Sequence, residues 1–123
     1  MTEETKIQLE MAGLEVRGTL TRFMNNEAMY ERFLLKYPTD QNYQKMLDSL
    51  ETKNYREAYK FAHALKGVTG NLGFTDIYQE LAKIVKILKE TDNIESQLPE
   101  LQVRLTKLNG MQKDIVALIS NLE

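Results

Sequence analysis

The chain has a single histidine, His63, in the stretch His63-Ala-Leu-Lys66-Gly67-Val-Thr-Gly70-Asn-Leu-Gly73. An imidazole keeps a large neutral fraction near physiological pH, so it can act as a nucleophile or exchange protons. Three of the six glycines lie in the same stretch. On a helical wheel at about 100° per residue, Phe61, Leu65, Val68 and Leu72 fall within about 40° of the side opposite His63, with Ala58 close by. Arg56, Tyr59, Gly67 and Gly70 fall within about 40° of His63, and Lys60 and Lys66 flank it at roughly 60°. The apolar stripe and the histidine therefore point in opposite directions. On a helix packed against a core, His63 faces water. It shares its arc with three cations, an aromatic ring and two residues without side chains, but no carboxylate. Such an arc suits an anion carried on, or delivered to, an imidazole. A lone helical histidine is more often simply solvated, and the glycines shift the balance. Glycine inside a helix costs about 1 kcal/mol relative to alanine. Gly67 lies one turn beyond His63 on the polar side, where tight helix packing does not explain it. Close approach of another molecule does.

Composition narrows the function classes. The 123 residues make one domain, 42% hydrophobic and 28% charged, with a net charge of −2. These are ordinary globular values and allow one respectable core. No basic field for nucleic acid or an anionic membrane is expected. With no cysteine and one histidine, disulfides, thiolate chemistry and a zinc site are not expected. The acidic start Met1-Thr-Glu-Glu-Thr lacks an apolar run, and no stretch is long enough to cross a bilayer. A cytoplasmic, single-domain protein over 1–123 is expected.

The elements that must position His63 read as helices throughout. Only Pro38 and Pro99 interrupt, and β-branched runs are short. Short N-terminal helices are predicted within about 3–36: residues 3–11, then 14–24 with Leu14, Leu20, Phe23 and Met24, then 26–36 with Met29, Tyr30, Phe33 and Leu34. Pro38 closes the last. Thr39 or Asp40 can cap a helix over 40–52. Asn54 and Glu57 offer a capping box for the central helix, 54–71, and Gly73 a sharp stop. Asp76 can open 76–90. The last helix, about 95–121, is expected to take Pro99 in its first turn. Its apolar series from Ile94 to Leu122 is broken at Gln112. That series reads as one side of a bundle in preference to a dimerising coiled-coil seam, so a monomer is expected. Short links favour antiparallel neighbours. The fold expected is therefore all-α: an antiparallel up-down-up-down four-helix bundle over about 40–121, with the additional N-terminal helices covering an end or side.

His-x-x-Lys-Gly with a further glycine ten residues after the histidine, set within Ala62-His63-Ala64-Leu65-Lys66-Gly67 and Gly70-Asn71-Leu72-Gly73-Phe74, resembles the core motif of histidine-containing phosphotransfer (HPt) domains. The leading run through Leu20, Phe23, Met29, Tyr30, Phe33, Leu34, Leu35, Lys36 and Tyr37 resembles the family's first segment, so the likeness covers most of the chain. It implies the same helical bundle, with His63 as phosphoacceptor and Lys66 pairing with the phosphate. It also implies a receiver domain as partner, whose aspartate and Mg²⁺ complete the reaction, and a separate upstream sensor kinase. Gly67 and Gly70 would clear space for that partner. The chain has no Walker loop, kinase-like nucleotide box or acidic cluster near the histidine. It reads as a phosphocarrier without a cofactor of its own, and not as an enzyme. Arg56, Tyr59 and Lys60 are candidate partner contacts from the polar arc. A hairpin about residues 72–73 brings Ala82, Lys83 and Lys86 toward His63, adding Lys83 and Lys86.

One position departs from the family. Many HPt domains carry Gln or Glu about 22 residues after the histidine, where it orients the ring; here that residue is Val85, with Lys86 beside it. Gln79 is nearer the turn. This departure motivates the alternative function, an HPt-like interaction module that binds a receiver or kinase without transfer. General acid–base catalysis by His63 ranks last, since no carboxylate or hydroxyl partner accompanies it in sequence.

Overall fold

A computed structural model of the chain describes residues 1–122. The described chain is all-helical. Its helices are α1 (Glu3–Met11), α2 (Val16–Arg22), α3 (Glu27–Lys36), α4 (Asn42–Glu51), α5 (Tyr55–Asn71), α6 (Thr75–Lys89) and α7 (Ile94–Ser120), with 3₁₀ turns at Tyr37–Thr39 and Thr91–Asn93. The most extensive packing joins successive helices: α4 with α5, α5 with α6, and α6 with α7. Met46 of α4, Ala58, Ala62 and Leu65 of α5, Leu81, Ile84 and Leu88 of α6, and Leu108 of α7 are fully buried. Each apolar stripe thus faces the next helix, and burying the leucine, isoleucine and methionine side chains contributes about 1.5–3 kcal/mol apiece.

Helix ends differ from the sequence expectations in instructive ways. Gln41, not Thr39 or Asp40, occupies the N-cap of α4, yet Asp40 Oδ1 accepts from the Asn42 amide at 2.8 Å. Asn54 Oδ1 accepts from the Glu57 amide at 3.3 Å, but Glu57 turns to Lys60 instead of closing the capping box. Asp76 does not open α6. Phe74 is the N-cap residue, buried, and its amide bonds the Thr69 carbonyl at 2.9 Å. α2 starts two residues later than expected, and Met24 lies beyond it at φ 56°, 88% exposed. Pro99 stands in the second turn of α7, not the first, because the helix begins at Ile94. Its ring leaves the Glu95 carbonyl without an intrahelical donor, and both residues are exposed to water. Gln112, where the apolar series of α7 breaks, accepts from the Tyr37 hydroxyl at 2.6 Å. Burial pushes the Tyr37 phenol well above its ordinary range, so the buried hydroxyl has its acceptor.

The N-terminal helices dock on the α5–α6 turn. Gly73 adopts φ +82°, and a methyl there would stand 2.7 Å from the Glu15 carbonyl oxygen and collide with Thr19. The Glu15 amide donates to the Gly73 carbonyl at 2.9 Å. Arg22 Nη2 donates to the carbonyls of Gly70 (3.0 Å) and Asn71 (3.2 Å). The Tyr30 hydroxyl donates to the Leu72 carbonyl at 3.1 Å, and burial pushes its pKa up to about 12. Of the carbonyls a helix leaves open at its C-terminus, those of Val68 and Thr69 accept from the Leu72 and Phe74 amides, that of Gly70 is shared between the Gly73 amide and Arg22, and those of Asn71 and Leu72 take side chains from α2 and α3. Phe23 packs on Tyr30 and Phe33 at 5.5 and 5.6 Å between ring centroids, which fixes α2 against α3.

Candidate functional site

The site is built on the solvent side of α5. Ala62 and Leu65 are fully buried on either side of His63 in sequence, and that anchoring turns the imidazole outward, where it is exposed. Tyr59, one turn before, is half-buried and packs on the core, and its ring lies 5.9 Å from the imidazole centroid at a 37° tilt. Gly67, one turn after, faces open space: a methyl there would meet nothing within 4 Å. His63 therefore has an aromatic neighbour on one side and bare backbone on the other.

The cations around it have different fates. Lys60 Nζ pairs with Glu57 at 3.4 Å, so a carboxylate does stand near the arc, contrary to the wheel reading. Lys66 pairs with no carboxylate among the described residues. Its ammonium instead lies over the Tyr78 ring of α6, 5.5 Å from the centroid. Arg56 and Lys86 are exposed. Lys83 is drawn elsewhere: its Nζ is 3.5 Å from Glu80, a carboxylate only 2% exposed that also receives Arg104 at 3.4 Å and Lys107 at 3.8 Å from α7. Lys83 thus belongs to an α6–α7 ionic cluster. Val85 is buried and has no group to offer the imidazole. Gln79 is exposed and Ala82 half-buried.

Gly70 also has a role within the chain. A methyl at Gly70 would lie 2.8 Å from Tyr78 Cδ2, far inside van der Waals contact. Gly70 clears space for a ring of this chain. A cleft of about 440 Å³ runs beside it, lined by Arg22, Gly67, Gly70, Asn71, Gly73, Thr75 and Tyr78. The structure thus brings His63, Tyr59, Lys66 and Gly67 together on α5, with Tyr78 joining from α6. Sequence reasoning missed Tyr78 and Arg22. A large aromatic facing a glycine across the short α5–α6 turn is a usable signal for Tyr78; nothing in the sequence marks Arg22 as a cap.

Chemically, the arrangement presents an accessible imidazole with a cation a turn away that pairs with no carboxylate among the described residues. Among the described residues no three His, Cys, Asp or Glu side chains gather to hold a metal, and no helix is long and apolar enough to cross a membrane. No family model matches the chain, and neither a curated protein nor a solved structure shows significant similarity to it.

Proposed function

We propose that the chain is a histidine phosphocarrier of the HPt type, exchanging a phosphoryl group between His63 and the aspartate of a response-regulator receiver domain. In this reading α4, α5, α6 and α7 form the up-down-up-down bundle, and α1–α3 cover the end at which α5 meets α6. The observation that carries the reading is an exposed imidazole, with open space over Gly67 and, within one turn, the Lys66 ammonium lying on a ring and paired with no carboxylate among the described residues. The unprotonated ring nitrogen attacks phosphorus. A P–N bond forms, the acyl P–O bond breaks, and the electron pair returns to the receiver carboxylate. The other ring nitrogen keeps its proton. Mg²⁺ sits on the receiver and offsets charge there. Phosphohistidine brings close to two negative charges to the α5 surface, and Lys66 answers them with a charge-assisted hydrogen bond. The chain carries phosphate without turning over a substrate of its own. A sensor kinase system supplies the relay from upstream, and the setting is cytoplasmic.

The test is acid-labile phosphate on this chain after mixing with acetyl-phosphate-charged receiver domains and Mg²⁺, with His63→Gln alongside. Label on the unaltered chain and none on the variant is expected. Equal labelling of both would sink the proposal.

A second reading has its own observation. Val85 is buried and cannot hydrogen-bond the imidazole, so the ring lacks the orienting group many HPt domains carry. On this reading the chain binds a receiver or kinase without transfer. Receiver binding that is indifferent to His, Ala or Glu at position 63, with no label, would favour it.

A further inference from the structure

We infer that Tyr78 is a positioning residue for Lys66: its ring holds the ammonium on the α5 surface one turn from His63 without neutralising it, and position 70 is glycine so that the ring can lie there. The inference rests on the phosphocarrier reading and names a residue that reading does not require. Three observations meet. The Lys66 ammonium lies 5.5 Å from the Tyr78 ring centroid. The ring packs so close to α5 that a methyl at Gly70 would lie 2.8 Å from it. Lys60 of α5 and Lys83 of α6 rest on carboxylates, whereas Lys66 rests on a ring.

The choice of a ring has a physical consequence. A lysine on a helix surface explores many rotamers, and an unheld ammonium is seldom where a phosphoryl group arrives. A carboxylate would hold it but would cancel its charge and repel the incoming anion. The face of an aromatic ring attracts a cation through its quadrupole and leaves the charge intact. The attraction at an exposed site is also weaker than a charge-assisted hydrogen bond to phosphate. Lys66 can therefore bond a phosphoryl group arriving at His63 while its stem stays against the ring. Tyr78 does not touch the reacting atoms; it acts through Lys66.

Receiver domains charged with acetyl phosphate in the presence of Mg²⁺ serve as the donor, and acid-labile phosphate on this chain is followed by ³¹P NMR. Tyr78→Leu is expected to slow uptake by roughly two- to fivefold, the weight of one exposed cation–π contact. Tyr78→Phe, which keeps the ring, should match the unaltered chain. In a Lys66→Ala background Tyr78→Leu should cause no further loss, which a merely structural role would not predict. The Lys66 ε-methylene protons provide a readout independent of phosphate: the ring should shift them upfield, and the shift should vanish in Tyr78→Leu and persist in Tyr78→Phe. Unchanged uptake in Tyr78→Leu, an equal loss in Tyr78→Phe, or an absent ring shift in the unaltered chain each overturns the inference. Absence of uptake by the unaltered chain overturns the phosphocarrier reading and the functional half of this inference with it. The ring shift then reports separately whether Tyr78 holds Lys66.

Discussion

Two regions of this molecule use the same residue types to opposite ends. Between α6 and α7, Lys83, Arg104 and Lys107 converge on Glu80, which is almost wholly buried, and Glu100 adds a second carboxylate 3.1 Å from Arg104. On α5, Lys66 has no carboxylate among the described residues and lies on a tyrosine ring. In the first region every cation is spoken for, and the cluster ties two helices together. In the second, a positive charge is held in place yet left uncancelled. A count of lysines treats Lys66 and Lys83 alike. Their difference lies in what the neighbouring helix offers each: a buried acid in one case, an aromatic face in the other.

That contrast can be broken at either end. The largest effect on stability is expected from Glu80→Ala. It removes buried methylenes and leaves three cations around an empty site, and should lower unfolding free energy by about 2–3 kcal/mol in urea denaturation, part of the penalty being relieved as the cations turn to water. Phosphate uptake by the folded fraction should be unaffected. Lys66→Ala should do the reverse. Uptake at His63 should fall roughly tenfold, the loss of one charge-assisted hydrogen bond. Stability should fall by no more than about 1 kcal/mol, because a half-buried surface lysine on one ring holds little of the fold. The smallest effect belongs to Lys83→Ala. Its half-exposed ion pair should be worth less than about 0.5 kcal/mol, and uptake should not change. A loss of uptake there as large as that of Lys66→Ala would place Lys83 in the site and erase the contrast.

The helical class was legible because the apolar positions repeat with the helical period: Leu65, Leu81, Ile84 and Leu108 are buried where a stripe requires it. The outward side of His63 follows from the same arithmetic, since Ala62 and Leu65 must point in. What stayed hidden depends on residues that meet across turns. Periodicity assigns a face to a side chain but not a partner. It could not say that Lys83 turns to Glu80 and α7, or that Gly70 makes room for the Tyr78 ring. Gln112 looked like a flaw in an apolar series until Tyr37 was seen to need its oxygen. Pro99 was misplaced for a simpler reason: a proline near a helix start is most economically put in the first turn, but it is the sixth residue of α7, past that turn.

The bonds from Arg22 and Tyr30 to the end of α5 span 48, 49 and 42 residues of sequence. The end of α5 is closed partly by its own following turn, through the Leu72, Gly73 and Phe74 amides, and partly by Arg22 and Tyr30, so opening it fully also releases bonds to α2 and α3. The histidine helix and the N-terminal helices are thus expected to form one cooperative unit of local unfolding, with their amides exchanging with solvent together. A disturbance at the start of the chain would then be felt as looseness beneath the imidazole, well away in sequence from where it was made.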